Sequence, residues 1–304
     1  MGAMSRRFDI AAALIAVIFG CMGYVIVSTS HPPSVDPLGA VDPASPRPLV
    51  IALGDSLTHG LFSHAWLADL KHAYPHLQFA NTAMNGHTSH TVLQTARSLK
   101  LHRPPAVVLV LVGSNDALYS LSPKARDFYM EQGKLPVGTP AGLPAALAAY
   151  ERNLGDIITH ARKQVEAKEV IIISPPPFGG NVTRDLPSDS FLGALEHSPH
   201  DAVKLMARKA RHVAWRRGAT FIDLHELIDK RLREQTDRGP PFVLSVSQFS
   251  RQFFVATIVS FIPGLTFNRM SHTLYSHDWI HLNQRGAQVI ADALKPILGR
   301  IRAA

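Results

Sequence analysis

The 304-residue chain is 46% hydrophobic and 18% charged, a balance that excludes a disordered tail and leaves room for one large domain or two small ones. Its net charge of +8 and pI near 9.8 raise nucleic acid as a partner, but no basic run is interleaved with aromatics in a binding motif, so nucleic acid is set aside. The densest basic run, Arg208 to Arg217, reads as a solvated helix face, and attraction to anionic lipid or cell-wall polymer fits the charge equally well.

In chain order, residues 1–9 carry Arg6 and Arg7 and read as a cytoplasmic N-terminus. Residues 10–28, "IAAALIAVIFGCMGYVIVS", contain no charge and are about long enough to span a bilayer. The flanking arginines place the chain after this segment on the outer side, which fits a single-pass bacterial inner-membrane anchor with a periplasmic domain. A cleaved signal, giving a lipoprotein through Cys21 or a secreted protein, has the same layout. Cys21 is the single cysteine, so no internal disulfide forms. Residues 29–48 hold six prolines between His31 and Pro48 and read as an extended linker.

The organised domain is expected over residues 49–304. Short apolar runs at Leu49–Leu53, Ala106–Val112, Val170–Ser174 and, more weakly, Thr220–Leu224, with Gln78–Thr82 as a fifth, suit strands buried on both faces, the mark of a parallel sheet. Helical patterns lie between them at 61–73, 89–99, 144–167, 202–217 and 285–301. This alternation predicts an α/β fold: a three-layer α/β/α sandwich with a parallel sheet of about five strands. Residues 240–270 read as an irregular apolar insertion carrying six of the 14 phenylalanines. It is either an ordinary helix on the core or a lid or pocket wall near the site.

In such a sheet, ligands sit beyond the carboxyl ends of the strands. The turns there are Gly54-Asp55-Ser56, Asn85-Gly86-His87-Thr88-Ser89 and Gly113-Ser114-Asn115-Asp116, and "HDWIHLNQRG" (277–286) precedes the last helix. By itself Ser56 reads as a helix cap as readily as a nucleophile. Acyl transfer needs a nucleophile, a base, a group to orient the base, and N–H donors for the oxyanion. Ser56, His281, Asp278, Gly86 and Asn115 are candidates for those roles. Asp55 is expected to order its own turn and Asp116 to cap the next segment. His59, His87, His90 and His277 lack the spacing of a metal site, so no metal and no cofactor is expected.

These four turns resemble the SGNH (GDSL) hydrolase family: Gly54-Asp55-Ser56-Leu57 its namesake block, Gly86 its second, Gly113-Ser114-Asn115-Asp116 its G-x-N-D block and Asp278-Trp279-Ile280-His281 its D-x-x-H block. The resemblance implies an esterase, lipase or lysophospholipase-like enzyme on a flavodoxin-like sandwich. It assigns Ser56 as nucleophile, His281 as base and Asp278 as its orienting acid. Ser56 N–H, Gly86 N–H and Asn115 form the oxyanion hole. The implied reaction is hydrolysis of a carboxylic ester, or a thioester, of a small molecule, a lipid or an envelope saccharide. An envelope O-acyltransferase would carry the same residues, and a non-catalytic binding protein on this fold is the third class.

Overall fold

The computed structural model describes residues 20, 23–24, 27–34, 36–179, 181–185, 193–234, 241–242, 246–262, 264–271 and 273–302. The first strand, β1 (Leu49–Gly54), is buried along its whole length. It leads into the one-turn helix α1 (Ser56–His59) and then α2 (Trp66–Ala73). The chain continues through β2 (Gln78–Asn81), α3 (Ser89–Ser98), β3 (Val107–Leu111), α4 (Ser114–Tyr119), α5 (Pro123–Glu131), α6 (Leu143–Lys163) and β4 (Glu169–Ile173). After β5 (Asn181–Asp185) come α7 (Pro199–Arg216), β6 (Thr220–Ile222), α8 (Leu224–Arg233), β7 (Pro241–Phe242), α9 (Val246–Phe261) and α10 (Gln284–Leu298).

The five expected strands form one sheet in the order β2-β1-β3-β4-β6, every neighbouring pair parallel. Continuous apolar strands arise because successive side chains face opposite sides and both sides are covered. On one face Ile51, Leu53, Val108, Val110, Val170 and Ile172 pack with Val92 of α3, Leu154 of α6 and Met206 of α7. On the other, Val50, Ala52, Leu109, Leu111, Ile171 and Ile173 pack with Leu67 of α2, Ile228 of α8 and Ile290 of α10. The layers are therefore the expected α/β/α. A second, two-stranded sheet, β5 with β7, was not expected.

Of the two readings of the apolar insertion, the ordinary helix is the one seen. Sixteen of its residues form α9, whose Val255 and Ala256 are fully buried while Phe254 and Phe261 stay exposed. Its described side chains alternate on a helical period, so one face is satisfied by the domain and the other is not. The proline-rich residues lie along the domain. Asn81 N–H donates to Asp36 O at 2.6 Å, Lys71 Nζ meets Asp36 Oδ1 at 2.5 Å, and Leu38 and Val41 pack against the core. Most of residues 10–28 fall outside the described residues; Gly20, Gly23, Tyr24, Val27 and Ser28 are helical. No helix among the described residues is long and apolar enough to cross a membrane.

Candidate active site

The strand order reverses between β2 and β3, on either side of β1, so the turns after these strands open onto one crevice. Close packing at the end of β1 demands glycine, because a Cβ on Gly54 would lie 2.6 Å from Leu111 O and 2.7 Å from Thr58 Oγ1. Asp55 caps α1, its Oδ1 accepting from Leu57 N–H at 2.9 Å. Ser56 is thereby held at the first position of α1, where free backbone N–H groups favour negative charge.

His281 Nε2 lies 2.8 Å from Ser56 Oγ, and His281 Nδ1 lies 2.6 Å from Asp278 Oδ2. Because the carboxylate only accepts, Nδ1 carries the ring proton, which leaves Nε2 to accept from the serine hydroxyl. The four-residue turn builds this geometry locally. Asp278 Oδ1 accepts from the backbone of Ile280 at 3.1 Å and of His281 at 2.7 Å, and Trp279 takes a left-handed φ of 70° to close it. Strain at a non-glycine residue, held by a buried indole, is the kind found at sites whose geometry is over-determined. All three side chains are buried. Burial works against a charged Asp278, but the facing His281 and His277, with the hydrogen bonds from His281, outweigh it and hold the carboxyl below its ordinary range.

The second and third turns meet through Asn115, next to Asp55 of the first. Gly86 has a φ of 71°, a conformation open to a residue without Cβ. Asn115 Nδ2 donates to His87 O at 3.0 Å and lies 3.5 Å from Asp55 Oδ2. Its Oδ1 accepts from Tyr129 Oη at 2.7 Å. Tyr129 is buried, and that burial, with Asp55 and Asp116 nearby, pushes its phenol well above the ordinary range; it stays a donor. The tyrosine therefore fixes which way the Asn115 amide faces, a role that no motif spacing announced.

Asp116 does not cap the segment that follows it. Its carboxylate accepts from Ser89 N–H at 2.9 Å and Ser89 Oγ at 2.6 Å, tying the start of α3 to α4 and locking the second and third turns together. Burial raises Asp116 to about 6 and Asp55 to about 7. The neighbouring histidines have structural partners: His59 Nε2 pairs with His31 O at 2.9 Å, His90 with Gln94, and His277 Nε2 with Phe62 O. His87 is pushed down to about 3 by burial and by Lys134 and His59. Among the described residues, His277, Asp278 and His281 bring ligand atoms within 4.8 Å of one another. His281 Nδ1 and Asp278 Oδ2, however, already bond each other.

Aromatic contacts also run from the insertion to the base. Phe62 lies 5.4 Å from the His281 ring and 5.2 Å from Phe253 of α9, centroid to centroid. Phe62, three residues beyond α1 and buried, carries no sequence signal of that position.

A model of the GDSL-like lipase/acylhydrolase family matches residues 52–289. No curated protein matches the sequence. Among solved structures, a lipase/acylhydrolase from Enterococcus faecalis aligns at 16% identity with a TM-score of 0.51, covering 84% of this chain and 98% of that one. A catalytic mutant of an acetylxylan esterase from Geobacillus stearothermophilus aligns at 16% identity with a TM-score of 0.51, covering 84% of this chain and 97% of that one.

Proposed function

Because the chain belongs to the GDSL-like lipase/acylhydrolase family and is an SGNH-type carboxylic ester hydrolase, we propose that Ser56, His281 and Asp278 carry its chemistry. The observation that supports this most is the unbroken hydrogen-bond chain from Ser56 Oγ through His281 to Asp278. Ser56 Oγ attacks the ester carbonyl as its proton passes to His281 Nε2. The oxyanion is met by the N–H groups of Ser56 and Gly86 and by Asn115 Nδ2. His281 returns the proton to the leaving alcohol, which departs and leaves an acyl-serine. A water molecule then gives its proton to His281 and attacks the acyl-serine. The acid leaves and Ser56 regains its proton. Asp278 holds the ring and balances the imidazolium that forms twice in the cycle.

The substrate class we propose is an acyl ester on a lipid or an envelope saccharide. The uncharged residues 10–28 after Arg6 and Arg7 support a membrane anchor with the enzyme on its outer side. A fluorophosphonate probe tests the chemistry directly. It should label Ser56, as read by peptide mass spectrometry, and labelling should be lost in His281→Ala. Labelling elsewhere with Ser56 untouched overturns the assignment. A C-terminal alkaline phosphatase fusion tests the topology, with activity expected only if the domain is exported.

A further inference from the structure

Eight large hydrophobic side chains are exposed among the described residues. Five of them, Tyr24, Val27, Phe254, Phe261 and Ile262, belong to two stretches joined by an edge-to-face contact between the Tyr24 and Phe261 rings at 5.5 Å. Singly exposed apolar residues need no explanation, but a contiguous group does. Phe254 and Phe261 stand two helical turns apart on the outer face of α9, with half-buried Ile258 between them. No charged residue occurs from 252 to 268.

What covers this face is indicated by where the chain enters it. Tyr24 lies near the end of the uncharged residues 10–28, so the segment read as a membrane anchor meets the domain at the α9 face. Tyrosine at that junction suits a lipid–water boundary, with its ring apolar and its hydroxyl wet. The next residues are fastened to the rim of the site, Thr29 O accepting from Asn85 Nδ2 at 3.2 Å and His31 O pairing with His59 Nε2 at 2.9 Å. The anchor therefore has almost no slack with which to carry the domain away from the bilayer. From the same helix, an aromatic path leads inward through Phe253 and Phe62 to His281.

We infer that the outer face of α9, with Tyr24 and Val27, seats in the bilayer surface, and that the substrate is an acyl ester of a membrane lipid whose chain passes along Phe253 and Phe62 to Ser56. This inference rests on the esterase reading of Ser56 and narrows its substrate from lipid or saccharide to lipid. A second copy of the chain or a protein partner on this face is the competing occupant, and the experiment separates them.

The full-length protein is reconstituted in vesicles of phosphatidylethanolamine and phosphatidylglycerol with brominated acyl chains. In Phe261→Trp, the emission in excess of wild type should be blue-shifted and quenched by bromine; emission unquenched by bromine overturns the seating. On pyrene-labelled acyl phospholipid in the same vesicles, the double variant Phe254→Ser/Phe261→Ser should lose about tenfold in rate, while turnover of soluble p-nitrophenyl acetate stays unchanged. Equal rates of variant and wild type on the vesicle ester, or a wild type active on the acetate alone, overturn the lipid substrate. A wild type inactive on both esters overturns the esterase reading instead, and the bromine quenching then still decides whether the face is seated.

Discussion

At the carboxyl edge of the sheet, Ser56, Asn115, Asp278 and His281 are all buried, and each is fixed by a hydrogen bond to a side chain that is itself held. Beside them, α9 presents rings to rings, and two of its described side chains donate to backbone carbonyls, Arg251 to Met270 O and Thr257 to Phe253 O. Directional bonds hold charge and protons to within a fraction of an ångström, which bond-making requires. Apolar contacts are non-directional, so a wall of phenylalanines tolerates substrates of different length and shape. The two regions should therefore respond differently to mutation. Changes at the polar edge should lower kcat for every ester alike, and changes in the wall should alter which ester is preferred.

The largest expected effect tests the polar edge. Ser56→Ala and His281→Ala should each lower kcat on p-nitrophenyl acetate by about 10³ or more, with the fold intact by circular dichroism. Wild-type rates in Ser56→Ala would break the assignment. Asn115→Ala should cost about 10² in kcat with KM little changed, because the amide matters most once the oxyanion has formed. A change in KM alone would move Asn115 to the binding side of the comparison.

The polar edge was largely legible in the sequence, for a physical reason. Each candidate residue sits in a turn directly after a strand or before a helix, so local spacing and strand order together bring Ser56, Gly86, Asn115, Asp278 and His281 to one edge. The strands were legible because two covered faces demand unbroken apolar runs such as Val107–Leu111. What remained hidden depends on contacts between distant segments. Asp116 was expected to cap the next segment, yet it serves Ser89, a pairing that only the juxtaposition of α3 and α4 creates. The helix α9 was one of the two readings of the insertion, but which of its residues face the domain and which stay exposed depends on packing that the sequence does not show. Proline content predicted extended backbone before β1, but said nothing of Asp36 binding to Asn81 and Lys71.

Tyr129→Phe sharpens the comparison from within the polar edge. Removing one hydroxyl leaves the ring in place and frees the Asn115 amide to turn, so kcat should fall about tenfold at unchanged KM. If the Tyr129 hydroxyl served the fold alone, kcat would hold while thermal stability fell. In the apolar wall, Phe253→Ala should instead change the ratio of kcat/KM between hexanoyl and acetyl p-nitrophenyl esters by a few-fold, since each methylene in contact is worth up to about 0.8 kcal/mol. A uniform loss on both esters would show that the wall belongs to the rigid apparatus after all.

The smallest effect concerns what the polar edge costs in stability. Asp116 rises to about 6 and Asp55 to about 7 because burial disfavours their charged forms. A carboxyl whose pKa is higher in the folded than in the unfolded state binds a proton more tightly when folded. Its contribution to stability is full below the ordinary carboxylate pKa, near 3.8, and is lost as pH rises through the folded value. Asp278 has the opposite sign: held below its ordinary range, it contributes above 3.8 and loses that contribution only on stronger acidification. Asp55 and Asp116 therefore favour the folded state near pH 5 over pH 7, whereas burial of His87, His59 and His277 works in the opposite direction over the same range, so the part due to Asp116 is read from a variant. Asp116→Asn keeps both partners, its Oδ1 accepting from Ser89 N–H and its Nδ2 donating to Ser89 Oγ, but cannot ionise. Thermal unfolding followed at pH 5 and at pH 7 should then show the gap, Tm at pH 5 minus Tm at pH 7, falling by about 3 °C relative to wild type. An unchanged gap would mean that Asp116 is ionised across this range and that the Ser89 hydrogen bonds outweigh its burial.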